Sequence, residues 1–155
     1  MTPPKRRQPA RETPKPRLVK PRPAEARVSV DEVDLVSVAG TPGKGKGVGG
    51  EKWRVEVLGV RAGEVYINVI DEPPIGRHAS LQIYLNIKSQ GRGIGRISYA
   101  KACRLSAHES IYAHMRRSNL ASRRAAEMAG FVDATPTGFV QLILLWKKPK
   151  TDCAT

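Results

Sequence analysis

An apolar strand that runs directly into closely spaced glycines and then into a helix narrows the folds open to this chain more than any other feature. Leu81, Ile83, Leu85 and Ile87 alternate as one face of a strand. Gln90-Gly91-Arg92-Gly93-Ile94-Gly95 follows, and then Ile94, Ile97, Ala100 and Leu105 fall on one face of a helix expected over residues 93–107. A turn of this kind aims backbone N–H groups and the positive end of a helix dipole at one spot, where an anion can sit. Glycines let that anion approach the backbone without a Cβ in the way. The spacing is not that of a dinucleotide fingerprint, which would need glycine at Arg96.

The rest of the chain alternates between strand and helix signals. Residues 28–38 read as a strand through Val28, Val30, Val33, Leu35, Val36 and Val38. Trp53, Val55 and Val57, then Val65, Ile67 and Val69, predict a hairpin turning over residues 59–63. Asp71-Glu72-Pro73-Pro74 ends it. Residues 109–115 read as a short strand. Residues 119–129 read as a helix that Asn119 can cap and Gly130 can stop. Residues 131–134 and 139–147 close the chain as a hairpin around Thr135-Pro136-Thr137-Gly138. The order β, β–β–β, α, β, α, β–β predicts a mixed-sheet α/β fold over residues 28–148, with a flexible C-terminus at 149–155.

A second glycine-rich stretch, Gly40-Thr41-Pro42-Gly43-Lys44-Gly45-Lys46-Gly47, nearly spells a nucleotide P-loop. It fails because Gly47 stands where a Ser or Thr would hold magnesium, and because strand residues rather than a helix follow. A flexible basic loop is the expectation there.

Charge enters next. The chain carries a formal +13, and residues 1–27 hold nine Lys and Arg against Glu12 and Glu25, so +7 belongs to them. The same segment holds seven prolines and almost no large apolar side chain. It cannot bury enough surface to offset its ordering entropy, so a disordered tail is expected. Such a tail can solubilise, or it can lie on nucleic acid or a ribonucleoprotein. Cys103 and Cys153 cannot make a disulfide framework, and His78, His108 and His114 show no metal-ligand spacing. The longest apolar run, residues 139–146, is far shorter than the roughly 20 that span a bilayer. A cytoplasmic protein with no metal and no membrane partner is the expectation.

The stretch Ile83-Tyr84-Leu85-Asn86-Ile87-Lys88-Ser89-Gln90-Gly91-Arg92-Gly93-Ile94-Gly95 resembles the coenzyme A motif of the GNAT superfamily of N-acetyltransferases. In that family a strand runs into Gln/Arg-x-x-Gly-x-Gly and then a helix, and Gln90, Gly93 and Gly95 occupy the marked positions. A second family block is similar to Asn119-Leu120-Ala121-Ser122, the helix after it, and Gly130-Phe131. The resemblance covers roughly residues 53–147. It implies a GNAT-like acyl-CoA-binding fold and transfer of an acetyl group from acetyl-CoA to an amine. It further implies that the backbone at Ile83 and Leu85 pairs with the pantetheine arm. Gln90, Gly91, Arg92, Gly93, Ile94, Gly95 and Arg96 would hold the pyrophosphate, with Asn119 and Ser122 beside the cofactor. A backbone N–H near Leu85 would stabilise the oxyanion.

Three departures from the family matter. The position of its tyrosine acid is Ala126, so Ser122 or Tyr112 would have to protonate the leaving thiolate. The position of its glutamate base is Gln82, which leaves Glu72, His78 or His114, directly or through water. The pair of helices that walls the acceptor site is missing, since only the Gly/Lys loop separates Val38 from Trp53. An open site favours a macromolecular acceptor, and the basic surface favours one associated with nucleic acid. Whether a homodimer fills in for the helices stays open. The alternative is a catalytically weak GNAT-shaped module that binds nucleic acid.

Overall fold

Alternating apolar residues need a partner layer, and here helices on one side of a single sheet supply it. A computed structural model describes residues 27–150. The expected tail lies outside them except for Arg27, as do the last five residues. Among the described residues the elements are β1 (Val33–Ser37), β2 (Glu51–Val57), β3 (Val60–Glu72), β4 (Gly76–Leu85), α1 (Ile94–Leu105), β5 (Ser110–Met115), α2 (Leu120–Met128), β6 (Val132–Asp133) and β7 (Leu142–Lys147). They form one sheet in the order β1-β2-β3-β4-β5-β7-β6. Only β4 and β5 pair in parallel, joined through α1 as a parallel pair must be.

The two faces of the sheet differ in chemistry. Val33, Trp53, Val55, Val65, Ile67, Leu81, Ile111 and Ala113 are buried on one face. Ile94, Ile97, Ala102 and Cys103 of α1 and Ala126 of α2 belong to the same core. Each buried Val, Leu or Ile among them contributes about 1.5–3 kcal/mol by leaving water. The cross-strand rows of the other face are polar: Arg54, Glu64 and Tyr84, then Lys52, Tyr66 and Gln82, then Asn68, Ser80 and Tyr112. No helix lies between β1 and β2, in agreement with the reading that a helix pair is missing.

The structure corrects five local readings. Residues 28–38 are not one strand, because a 3-10 turn at Val30–Glu32 precedes β1. The β2–β3 turn is not at 59–63 but at Leu58-Gly59, both at positive φ (50° and 80°). Leucine gives no turn signal, since this turn class normally recruits Asn-Gly. β4 begins at Gly76 rather than Leu81, and Ile87 leaves it for a 3-10 turn. Leu105, assigned to the buried face of α1, is 58% exposed, and Ala102 and Cys103 fill that place.

The fifth concerns the loop at 40–50, which is tied down rather than flexible. The Gly45 N–H donates to Asn68 Oδ1 at 2.7 Å, and Asn68 Nδ2 donates to the Gly43 carbonyl at 2.8 Å. Lys44 Nζ donates to Glu64 at 2.6 Å. A Cβ on Gly45 would come within 2.3 Å of the Glu51 carbonyl, so only glycine allows this approach. Like charges in a loop suggest mobility only when their partners are unseen, and Glu64 lies 20 residues away.

Two stability measurements follow. Leu58→Asn should stabilise the protein by about 1 kcal/mol in denaturant titration, because it relieves a left-handed leucine that is 74% exposed. An unchanged or lower midpoint would contradict the turn geometry. Glu64 is buried beside Lys44, Lys52 (3.4 Å) and Arg61 (3.8 Å), and the Lys44 hydrogen bond holds its carboxyl below the usual range. That stabilisation is complete above the ordinary carboxylate pKa and is lost as pH falls through the lower folded value. Glu64→Gln should therefore flatten the acid limb of the stability–pH curve.

Candidate active site

The glycine segment turns the chain into α1 in a shape that could cradle an anion. After Leu85 comes a 3-10 turn at Ile87–Ser89, and Gln90 Nε2 donates back to the Leu85 carbonyl at 3.3 Å. Gly91 and Gly93 take positive φ (76° and 82°), which turns the chain sharply into the helix. Gly93 is the N-cap of α1; no side chain caps the helix and its first turn holds no acid. The first N–H groups therefore face outward with the positive end of the dipole. Arg96 lies in this turn, and its Nε is buried without a hydrogen-bond partner among the described residues. That atom lies 3.6 Å from where a Gly93 Cβ would be. A buried, unpaired guanidinium N–H beside an uncapped helix start fits a phosphate oxygen. Gln90 and residues 91–96 thus surround the start of α1.

One support of this cradle gave no signal in the sequence. The Val28 N–H donates to the Arg92 carbonyl at 3.1 Å, and Lys101 of α1 donates to the carbonyls of Val30 (2.9 Å) and Val33. Residues 28–33 are therefore tied to α1 and to the glycine loop.

A cleft opens beside the cradle. β4 and β5 are paired at Ala79 with Ile111 and at Ser80 with Tyr112, and not beyond. From Leu81 to Leu85, β4 keeps β3 on one side and has no strand on the other. Ile83 and Leu85 lie on this stretch, half-buried, and a Gly95 Cβ would lie 3.8 Å from Leu85 Cδ1 and 3.7 Å from Ala125 of α2. The end of β4, the start of α1 and α2 thus converge around the cleft.

The block on α2 serves local structure first. Asn119 Oδ1 accepts the Ser122 N–H at 3.2 Å, an ordinary N-cap. Burial pushes the Tyr99 hydroxyl up to about 12, and the neighbouring Ser122 side chain partly lowers it. Ala126 is fully buried. Gly130 and Phe131 donate to the Glu127 and Ala126 carbonyls, closing the helix.

Apart from Ser122, the acid and base candidates lie elsewhere. Glu72 pairs with Gly76 at the far end of the β3–β4 hairpin, nine residues from Leu85, or about 30 Å along an extended strand. Gln82 Oε1 accepts the Tyr66 hydroxyl at 2.7 Å and is committed to that bond. His78 Nε2 lies 2.8 Å from His114 Nε2, His78 Nδ1 lies 2.7 Å from the Gly76 carbonyl, and the His78 ring meets Tyr112 edge-on at 4.9 Å. Burial, and then His78, hold His114 below the usual imidazole range, with Glu72 pulling the other way. A cavity of about 540 Å³ borders this cluster, lined by Arg77, His78, His108, Glu109, Ser110 and Tyr112 among others. No described helix is long and apolar enough to cross a bilayer.

Neither a scan against protein-family models nor a search of curated proteins finds a match. Solved structures do match. A protein assigned as a phosphinothricin N-acetyltransferase aligns with TM-score 0.55 and 20% identity, over 68% of this chain and 76% of its own. An assigned acetyltransferase from Salmonella typhimurium, solved with its cofactor acetyl-CoA, aligns with TM-score 0.52 and 19% identity, over 67% and 68%. A GNAT-family acetyltransferase from Streptococcus pneumoniae aligns with TM-score 0.53 and 15% identity, over 70% and 72%. The mixed seven-stranded sheet with its two helices superposes on these structures: this chain has the GNAT fold.

Proposed function

We propose that the chain is an acetyl-CoA-dependent N-acetyltransferase. The observation that carries the reading is the unpaired Arg96 Nε beside the uncapped start of α1, placed at the mouth of the β4–β5 cleft. Bound acetyl-CoA would supply a thioester carbonyl that an amine can attack. The chain's own part is to bind and to orient. Residues Gln90 to Arg96 would hold the pyrophosphate with backbone N–H groups and one guanidinium. The open edge of β4 at Ile83 and Leu85 would pair with the extended arm, and an N–H there would stabilise developing oxyanion charge. Ser122 and Tyr112 remain the candidates for returning a proton to the leaving thiol. Holding the reactants in one geometry supplies much of the rate.

The acceptor in this reading is an amine on, or bound beside, a polyanion such as nucleic acid or a ribonucleoprotein. The support is the absence of a helix pair between β1 and β2, the polar sheet face left there, and the +7 of charge that the sequence carries in residues 1–27. The solved relative assigned to phosphinothricin takes its name from a small acceptor, which an open face does not select.

Two measurements test this. Acetyl-CoA at 100 times its Kd should stabilise the protein by about 2.7 kcal/mol. Gly93→Glu should abolish that shift, and Arg96→Ala should weaken binding about 10-fold or more, as expected for a lost charge-assisted bond. No shift with any acyl-CoA would overturn the enzyme reading and leave the nucleic-acid-binding module. Deleting residues 1–26 should lower affinity for duplex RNA and reduce the salt slope of binding. An unchanged slope would remove the tail from the acceptor account.

A further inference from the structure

The polar sheet face carries a histidine pair whose proton positions follow from its contacts. A carbonyl oxygen only accepts, so His78 donates to Gly76 from Nδ1–H. A neutral His78 then has a bare Nε2, and the 2.8 Å contact requires that His114 donate to it from Nε2–H. The lone pair of neutral His114 is left on Nδ1, which has no hydrogen-bond partner among the described residues. The chain of contacts from Gly76 through His78 to His114 thus fixes one tautomer and presents one open basic nitrogen.

The position of that nitrogen gives it a use. The last paired residue of β5 against β4 is Tyr112, and His114 follows two residues later on the same face of the strand. Its backbone therefore lies where the two strands begin to part. The face is the one that α1 and α2 leave free, since the core packs Ile111, Ala113 and Met115 on the other side of β5. The groups around the imidazole are few. β4 offers His78, β5 offers Tyr112, the end of β3 offers Glu72, and β7 offers the apolar Ile143 in register.

We infer that His114 accepts the proton of the incoming amine at Nδ1, with His78 as the positioning residue that holds the tautomer. This rests on the acyltransferase reading above. An ammonium loses two protons on becoming an amide. One passes to His114 Nδ1 and on to solvent, which frees the nitrogen lone pair to form the C–N bond; the other leaves with the departing thiol as the C–S bond breaks. Protonated His114 still donates from Nε2 to His78, so the pair accepts the charge without rearranging. Burial keeps His114 neutral and ready to accept at physiological pH.

The test combines imidazole-nitrogen NMR of the full chain, with and without acetyl-CoA, with acetyl transfer to ethylamine and to hydroxylamine. Ethylamine must lose a proton before it attacks, whereas hydroxylamine is already unprotonated near neutrality. In the wild type, His78 should carry its proton on Nδ1 and His114 on Nε2, with His114 titrating below about 6.5. In His114→Asn the ethylamine rate should fall about 10²-fold or more, and far further than the hydroxylamine rate. His78→Gln should shift the acid limb of the ethylamine profile. A His114 proton on Nδ1 at neutral pH, or equal losses with both amines, would overturn the assignment. The two readings fail separately. If acetyl-CoA does not stabilise the wild type, the acyltransferase reading fails. If it stabilises wild type and His114→Asn alike while the ethylamine profile ignores residue 114, only the proton acceptor is wrong.

Discussion

Everything in the candidate site depends on how briefly β4 and β5 stay together. A parallel pair forms at Ala79 and Ser80 and then ends, while β3 remains paired with β4 to Leu85. A sheet normally satisfies the backbone groups on both sides of a central strand. Here the groups facing the gap are left for something else, at the point where α1 starts with free N–H groups. An extended molecule with an anionic end matches both needs at once: its amides can pair with β4, and its phosphates can meet α1 and Arg96. The rest of the fold serves to hold that gap open. α1 packs through Ile94 and Ile97 on one side, α2 touches it near Gly95, and Lys101 ties the entering chain to the back of α1.

Under the proposed function, the same gap separates a binding side from a reacting side. Glycines, Arg96 and the dipole of α1 form the first. The second is the polar face of the sheet, where the histidine pair and the cavity beside it lie. A pair of helices over that face would have enclosed it. The folded loop at 40–50 instead covers β3 near Glu64 and Asn68 and meets His108 through the Gly49 carbonyl. The electrostatics point the same way. Fixed positive charge sits at the start of α1, and on the other face of the sheet burial favours the neutral form of His114.

Much of this was legible in the residues, and what was not has physical causes. Element order was readable because apolar periodicity is local, and the glycine segment because Gly91 and Gly93 are needed for their backbone angles. Asn119 and Gly130 marked the ends of α2 by ordinary capping chemistry. The Leu58-Gly59 turn was hidden because leucine takes a conformation that asparagine usually signals. The loop at 40–50 looked mobile because its anchors, Glu64 and Asn68, are distant in sequence. The place of Glu72 at the turn end of the β3–β4 hairpin, within electrostatic reach of His114, does not show in a list of residues. The pairing of His78 with His114 lay beyond sequence reasoning too, since it joins two strands 36 residues apart.

The central claim is that acetyl-CoA occupies the cleft between β4 and β5 with its phosphates on α1. Amide hydrogen exchange with and without acetyl-CoA tests it most directly, because it reads individual backbone groups. Protection should concentrate at Gln82 to Leu85 and at Gly91 to Arg96. Protection confined to the loop at 40–50, or none in either segment at saturating acetyl-CoA, would contradict it.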